Sequence, residues 1–388
     1  MAQQMNLETE TVQFLKQLVA LPSLSGREER VAQAVEHKMR ALDFDEIWRD
    51  DYGNVIGKRT SPYSGASILF DAHMDVVPEG DAREWTHAPY GGEELQGRVW
   101  GRGSTDTKAS LASIVVGLGS IPRQSFSGTL YVVASVGEEI IEGASLAKVV
   151  DVLQPQGVVI GEPTDCRLGI GHKGRARMRF SVFGKAAHSS TPEQGDNAVF
   201  KIPTLIERIS RVPVPQDPWI GQAVMEPVQV VSSPYPSAST VPFACAVTYD
   251  RRLILGETEQ SVLKNYRQAL SDLRDWGLEL EEVSYTTYTG QVFKMPDFHP
   301  AWRMEPDSAW VSLGKHGIAR GGIRPEVYTT PYCTNGSYSA GVAGIPTLVF
   351  GPGSIHVAHS LDEYIAVEEL LKGLHGFIGL ANVLGTFG

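Results

Sequence analysis

The stretch Ile68-Leu69-Phe70-Asp71-Ala72-His73-Met74-Asp75 opens on apolar residues and closes on an imidazole and a carboxylate. Three more stretches share this form. Leu130-Tyr131-Val132-Val133 runs through Ala134 and Ser135 to Glu138 and Glu139, and Val158-Val159-Ile160 runs to Glu162. Thr347-Leu348-Val349-Phe350 leads through Gly351-Pro352-Gly353 to His356 and His359. Short apolar runs bounded by turn residues suit strands buried in a helix-covered sheet. Helical patterns lie between and around them, at 8–20, 27–42, 105–118, 142–153, 305–316 and 363–383. Alternation of strand and helix predicts an α/β fold with a mixed, mostly parallel sheet covered by helices. Ser25-Gly26-Arg27-Glu28 has the spacing of a capping box opening the second helix.

Residues 174–288 read differently. Arg175–Phe183 alternates polar and apolar residues, as do 245–250 and 278–285, the pattern of half-buried antiparallel strands. Two helical segments, 197–210 and 258–275, separate them. This predicts a smaller α+β domain at 174–288 inserted into a larger one formed by 1–173 and 289–388.

Composition narrows the function. The chain has 388 residues, room for two domains, and 42% of them are hydrophobic, as in a soluble globular protein. Its net charge of −11 is a poor match to nucleic acid or to an anionic membrane. No apolar run is long enough to span a bilayer, and the N-terminal residues carry no secretory signal pattern. Three scattered cysteines, Cys166, Cys245 and Cys333, make neither a disulfide framework nor a thiolate zinc site, which fits a cytoplasmic location.

Sites in open α/β sheets form outside the carboxyl ends of the strands. Taken singly, a histidine at a strand end is more often structural, and Glu138-Glu139 is more often a solvated loop. Four such ends in one sheet change that balance, because a charge ending a buried strand is costly unless paired or metal-bound. Asp106, after the Gly101–Thr105 turn, is a fifth candidate. Histidine and carboxylates without cysteine suit zinc or a similar divalent ion in a hydrolytic site.

These motifs resemble the two-metal amidohydrolases and peptidases related to acetylornithine deacetylase, succinyl-diaminopimelate desuccinylase and carboxypeptidase G. The matching segments are His73-Met74-Asp75-Val76-Val77-Pro78, Gly101–Lys108, Glu138-Glu139, Gly161-Glu162-Pro163-Thr164, Gly184–Ser190 and Gly351 through His359. They occur in the family's order over about residues 10–365, and the tract Val158–Ala198 is most similar to hydrolases linked to selenium metabolism. The resemblance implies that 174–288 is a lid and dimerisation domain. It implies two divalent metal ions, zinc first, with cobalt or manganese as alternatives. His73 and Glu162 would hold one ion, Glu139 and His359 the other, and Asp106 would bridge them, with a cis peptide at Asp106–Thr107. Asp75 would orient His73. Glu138 would be the general base acting on a metal-activated water, and His188 would stabilise the oxyanion, commonly from a second subunit. Arg252, beside the easily confused Arg251, would grip a substrate carboxylate. Asn335 lies in a tract matching the family's Thr-Ser-Asp-Gly-Arg, where this chain reads Cys333-Thr334-Asn335-Gly336-Ser337. It would contact substrate, and the family's arginine is absent at Ser337. Likewise the lid's Asn-x-x-Pro reads Ser239-Thr240-Val241-Pro242.

The implied activity is hydrolysis of the non-cyclic amide C–N bond of a small N-acyl or N-carbamoyl amine or amino acid. Glu rather than Asp at 162 leans toward the deacylase and carboxypeptidase branch. Alternatives are a di- or tripeptidase or a carboxypeptidase of the same family, and, from another class, a metal- or ligand-binding protein without turnover. The expected partners are a small-molecule substrate and a second copy of the chain, with neither nucleic acid nor membrane.

Overall fold

The computed structural model describes residues 2–236 and 238–387. Its central sheet runs, in spatial order, Glu46–Arg49, Val55–Thr60, Thr129–Ser135, Ser67–His73, Gly157–Ile160, Thr347–Val349 and Leu168–His172. The four strands Thr129–Ser135, Ser67–His73, Gly157–Ile160 and Thr347–Val349 are mutually parallel, and antiparallel strands flank them. Their carboxyl ends therefore open on one edge. Ser67–His73 and Gly157–Ile160 are buried almost throughout, which is why they read as continuous apolar runs rather than as alternation.

Helices cover both faces. Lys108–Ser120 is buried along nearly its whole length between the sheet, Ala2–Val19 and Val367–Leu384. Leu111, Ile114, Val115 and Leu118 each leave water there, at about 1.5–3 kcal/mol per side chain. Ala144–Leu153 packs Leu146, Val149 and Val150 on the other face, against Leu69, Val133 and Val158. Among the described residues, no helix is long and apolar enough to cross a membrane.

The insertion has its own antiparallel sheet, in the order Val224–Ser233, Ala244–Leu253, Gly174–Phe183 and Trp276–Leu280. Gly174–Phe183 alternates as its sequence predicts. Ala176, Met178, Phe180 and Val182 pack under helices Ile202–Ser210 and Glu259–Ala269, while Arg177 and Arg179 face away and pair with Glu281. Val224–Ser233 is the edge strand and leaves Val224, Val228 and Val230 exposed.

Three local expectations are corrected. The capping box does not form: Ser25 Oγ donates to Asp75, and Glu28 Oε1 accepts from Gly26 N–H and Tyr285 O–H instead. A buried carboxylate 50 residues away is a better partner for the serine than an N–H one turn on. The stretch 278–285 is not one strand. Trp276–Leu280 joins the insertion sheet, whereas Glu282–Thr286 forms a hairpin with Val292–Pro296, and Tyr285 and Phe293 pack into the core of the larger domain. Finally, the 258–275 helix ends at Ala269.

Candidate active site

The parallel strands bring the candidate residues to one edge, around a cavity of about 310 Å³. His73 is the last residue of its strand and is 1% exposed. Its Nδ1 lies 2.9 Å from the main-chain oxygen of Asp75 and 3.5 Å from Asp75 Oδ1. Its Nε2 faces Asp106 Oδ1 at 3.1 Å, Glu162 Oε1 at 3.8 Å and Glu138 Oε2 at 3.9 Å. His359 Nε2 lies 3.2 Å from the other oxygen of Asp106, Oδ2, and 3.2 Å from Glu139 Oε2. The two oxygens of one carboxylate thus face two different imidazoles.

Asp106 is held from its backbone. The peptide Asp106–Thr107 is cis. Glu363 Oε1 accepts from the N–H groups of Thr105 (2.9 Å) and Asp106 (3.0 Å), while Glu363 Oε2 accepts from Arg102 (2.6 Å). Asp75 acts on the opposite side as a bracket: Oδ1 accepts from Glu138 N–H and Oδ2 from Glu139 N–H, both at 3.1 Å. Asp75 therefore fixes the two glutamates as well as His73. The glycine before them, Gly137, has φ +70 and lies under the Tyr285 ring, which a Cβ would meet at 2.4 Å. A side chain at 137 would push the glutamate loop off this ring.

The electrostatics are those of crowded carboxylates. The ion-pair partners of Asp106, Glu138, Glu139 and Glu162 among the described residues are imidazoles. Burial, then Glu162, pushes Glu138 well above the usual carboxylate range. Burial and Asp106 raise Glu139 to about 7. Burial lifts Glu162 well above its usual range as well, against the pull of His73. Asp106 goes the other way: burial opposes its ionisation, but the hydrogen bonds from His359 and His73 hold it low. His359 is raised to about 10 by Asp106 and Glu139. A dication held between these groups would neutralise several oxygens at once. The donor atoms of His73, Glu138 and Glu162 lie within 4.8 Å of one another, as do those of His73, Asp106 and Glu139. Imidazole nitrogens and carboxylate oxygens are the donor set of zinc and its neighbours. Cys333 also lines the cavity, but burial pushes its thiol well above the usual range, so it offers no thiolate.

Arg252 lines the cavity beside Asp250, with which it forms an ion pair, Nε to Oδ1 2.9 Å. Arg251 points away, buried against Glu257. His188 is exposed in the insertion, with Nδ1 2.8 Å from Ser190 Oγ, and is not among the cavity-lining residues. Asn335 requires correction as a substrate contact. It is 1% exposed, its Nδ2 donates to Asp71 (2.8 Å) and Ser135 (3.1 Å), and its Oδ1 accepts from Gly143 N–H (2.7 Å). Its amide is committed to bracing two strands and the turn before Ala144–Leu153. The neighbouring Ser337 lines a different cavity, behind the first.

Sequence reasoning missed Glu142, Arg175 and Tyr332 on the cavity wall. Tyr332 O–H donates to the Pro163 oxygen at 2.7 Å and so steadies the Glu162 turn. The signal for Glu142 was present but weak: a third acid within five residues of Glu138.

Residues 69–382 match the model of peptidase family M20/M25/M40. The uncharacterized protein YgeY of Escherichia coli K12 is 32% identical over 370 residues, covering 92% of this chain and 90% of the relative. Acetylornithine deacetylase of Proteus mirabilis is 26% identical, covering 93% of each chain. Among solved structures, the YXEP protein of Bacillus subtilis, described as a dinuclear metal-binding peptidase, superposes with a TM-score of 0.70 at 16% identity. That match covers 98% of this chain and 99% of the other. The strand-end cluster and the match over most of the chain lead to one conclusion: this protein belongs to peptidase family M20/M25/M40, a family of metal-dependent hydrolases.

Proposed function

We propose that the protein is a dinuclear amidohydrolase that cleaves the C–N bond of a small N-acyl or N-carbamoyl amine or amino acid. The observation that carries this reading is Asp106, whose two oxygens face His73 and His359 at 3.1 and 3.2 Å. His73 and Glu162 would hold one divalent ion, Glu139 and His359 the other, and Asp106 both. Such ions, zinc first, would supply Lewis acidity to the amide carbonyl and lower the pKa of an attacking water. Glu138 would take that water's proton and deliver it to the departing nitrogen. Its depth in the cavity, where burial raises its carboxyl above the usual range, suits a group that accepts a proton and passes it on. Arg252 would receive an anionic substrate group at the lid wall.

The insertion, residues 174–288, would act as lid and dimerisation domain. Its exposed edge strand, with Val224, Val228 and Val230 bare, supports pairing with a second copy. Across that dimer, His188 would reach the substrate oxygen. Three unpaired, buried cysteines fit a reducing cytoplasm.

Amine release from a panel of N-acyl amino acids, N-carbamoyl amines and dipeptides, with and without added zinc, cobalt or manganese, tests the reading. Metal-dependent release from the acyl or carbamoyl compounds is expected, and release from dipeptides alone would move the assignment to a peptidase. Glu138→Gln should retain metal and fold yet lose about 10²–10⁴-fold in turnover. A near-normal rate at full metal content would remove Glu138 from proton transfer.

A further inference from the structure

The chain enters the insertion near residues 173–175, and after the 282–296 hairpin on the larger domain, Phe298–His299 pairs once more with the first insertion strand before the chain returns near 300–302. Both crossings meet at one buried ionic cluster. Arg175 is the second residue of the first insertion strand, and its Nη2 donates to Glu142 Oε2 at 2.6 Å and lies 3.2 Å from Asp297 Oδ1. His299, which pairs with Arg175 across the strands, places Nδ1 2.9 Å from the main-chain oxygen of Glu142. Its Nε2 is 3.1 Å from Asp297 Oδ1 and 3.5 Å from Glu142 Oε2. Side-chain exposure is 15% for Arg175, 11% for Glu142, 5% for Asp297 and 1% for His299, so the cluster is shielded from salt and water. The crossing strands also touch closely: a Cβ on Gly174 would sit 2.3 Å from the His299 oxygen.

Glu142 is the member that precedes the insertion in the chain, and it lies three residues after Glu139 on the same loop. Glu142 and Arg175 line the candidate active-site cavity together with Asp250 and Arg252. Glu142 and His299 also line the cavity behind it, so the cluster is the partition between the two. Arg175, then His299, holds the Glu142 carboxyl below its usual range despite burial, as expected of a group whose charge is fully used in place.

We propose that Glu142 is a positioning residue. It ties both crossings to the loop bearing Glu138 and Glu139, and so sets where the insertion's wall of the cavity, Asp250 and Arg252, stands relative to the carboxylate cluster. Nothing in this role requires Glu142 to touch substrate. Its carboxylate is occupied by Arg175, and its main-chain oxygen by His299. Without the charge, Arg175 is left buried with one of its two carboxylate partners gone, and the crossings lose their common anchor.

The kinetic arm of the test rests on the amidohydrolase reading; the distance arm does not. In Glu142→Gln, the side chain keeps its shape and the main-chain bond to His299 survives. KM should rise and kcat/KM should fall by about 10²-fold, the scale of an ångström-sized misplacement, with metal content unchanged. Glu142→Asp should recover part of the loss. Spin labels on the exposed Val152 of the larger domain and the exposed Phe200 of the insertion, each replaced by cysteine, should give one narrow distance. That distance should broaden or shift in Glu142→Gln. Arg175→Lys, which keeps the charge but loses the planar fork, should show the same kinetic and distance changes and serves if Glu142→Gln does not fold. A lowered melting temperature with wild-type kinetics and wild-type distances would overturn the proposal. So would a kinetic loss with an unmoved distance, since Glu142 would then act on substrate directly.

Discussion

In the larger domain most of the candidate ligands are buried beside the strand ends: His73 is 1% exposed, Glu162 5% and Asp106 7%, while the His359 side chain is 49% exposed yet reaches Asp106 and Glu139. In the insertion the candidate groups have local partners: the exposed His188 ring bonds to its near neighbour Ser190, and Arg252, 31% exposed, pairs with Asp250 two residues away. The first region reaches its geometry within one chain, because four parallel strands must end at one edge. The second has its groups on a separate sheet, and their distance from the cluster depends on how the insertion and any partner are placed. Long-range partners therefore fix where the larger domain's groups stand, whereas His188 and Arg252 are held only by neighbours two residues away.

The contrast predicts its largest effect at the shared carboxylate. Asp106→Ala removes an oxygen from each half of the cluster, so occupancy of both metals should fall. Turnover should drop by at least about 10⁴-fold, more than loss of proton transfer alone. His359→Ala should spare one ion. Elemental analysis beside kinetics checks this, and equal, full occupancy in both variants would show that Asp106 bridges nothing.

A smaller effect is expected in the insertion. His188→Ala should lose about 10²–10³-fold in kcat, as for one oxyanion donor, with metal content and KM nearly unchanged. If the residue acts across a dimer, mixing His188→Ala with Glu138→Ala subunits restores activity, because one mixed site holds both intact residues. A mixture that stays inactive after verified subunit exchange places His188 in its own subunit's site. A wild-type rate for His188→Ala alone confines it to the surface.

The smallest effect concerns stability where the two regions join. His172, fully buried at the end of Leu168–His172, bonds the Lys173 oxygen through Nδ1 (2.8 Å), and its Nε2 accepts from Thr334 N–H (3.3 Å). Burial pushes its pKa from 6.5 down to about 4. The native state thus refuses a proton that the unfolded chain accepts. Stability from this group is present above about pH 6.5 and is lost as pH falls toward 4, by roughly 3 kcal/mol. His172→Gln lacks this titration. Denaturant melts should show the gap between wild type and variant narrowing by that amount from pH 7 to pH 4. A constant gap would mean that His172 takes up its proton in the native state as readily as in the unfolded chain.

Much of the larger domain was legible from the sequence. The apolar runs 68–70, 130–133, 158–160 and 347–350 all fall in or beside the parallel strands, and the alternation of 175–183 marks the first insertion strand. Asn335 was misread because its place in a motif says nothing about which way its amide points. Its partners Asp71, Ser135 and Gly143 are distant in sequence. Ser25 was misread for the same reason, as a local cap rather than a donor to Asp75.

By itself the sequence determined the strands, their acidic and imidazole ends and the separate character of the insertion. Burial periodicity and turn chemistry are written over a few residues, and a parallel sheet leaves its strand ends no other place to go. Tertiary structure alone decided the bracket that Asp75 makes around Glu138 and Glu139, and the hold of Glu363 on the Asp106 amide across 257 residues. It also decided the cluster that joins Glu142 to both crossings. The physical reason is that a buried polar group must find partners wherever the fold offers them, and no periodicity in the chain records which distant atom that will be.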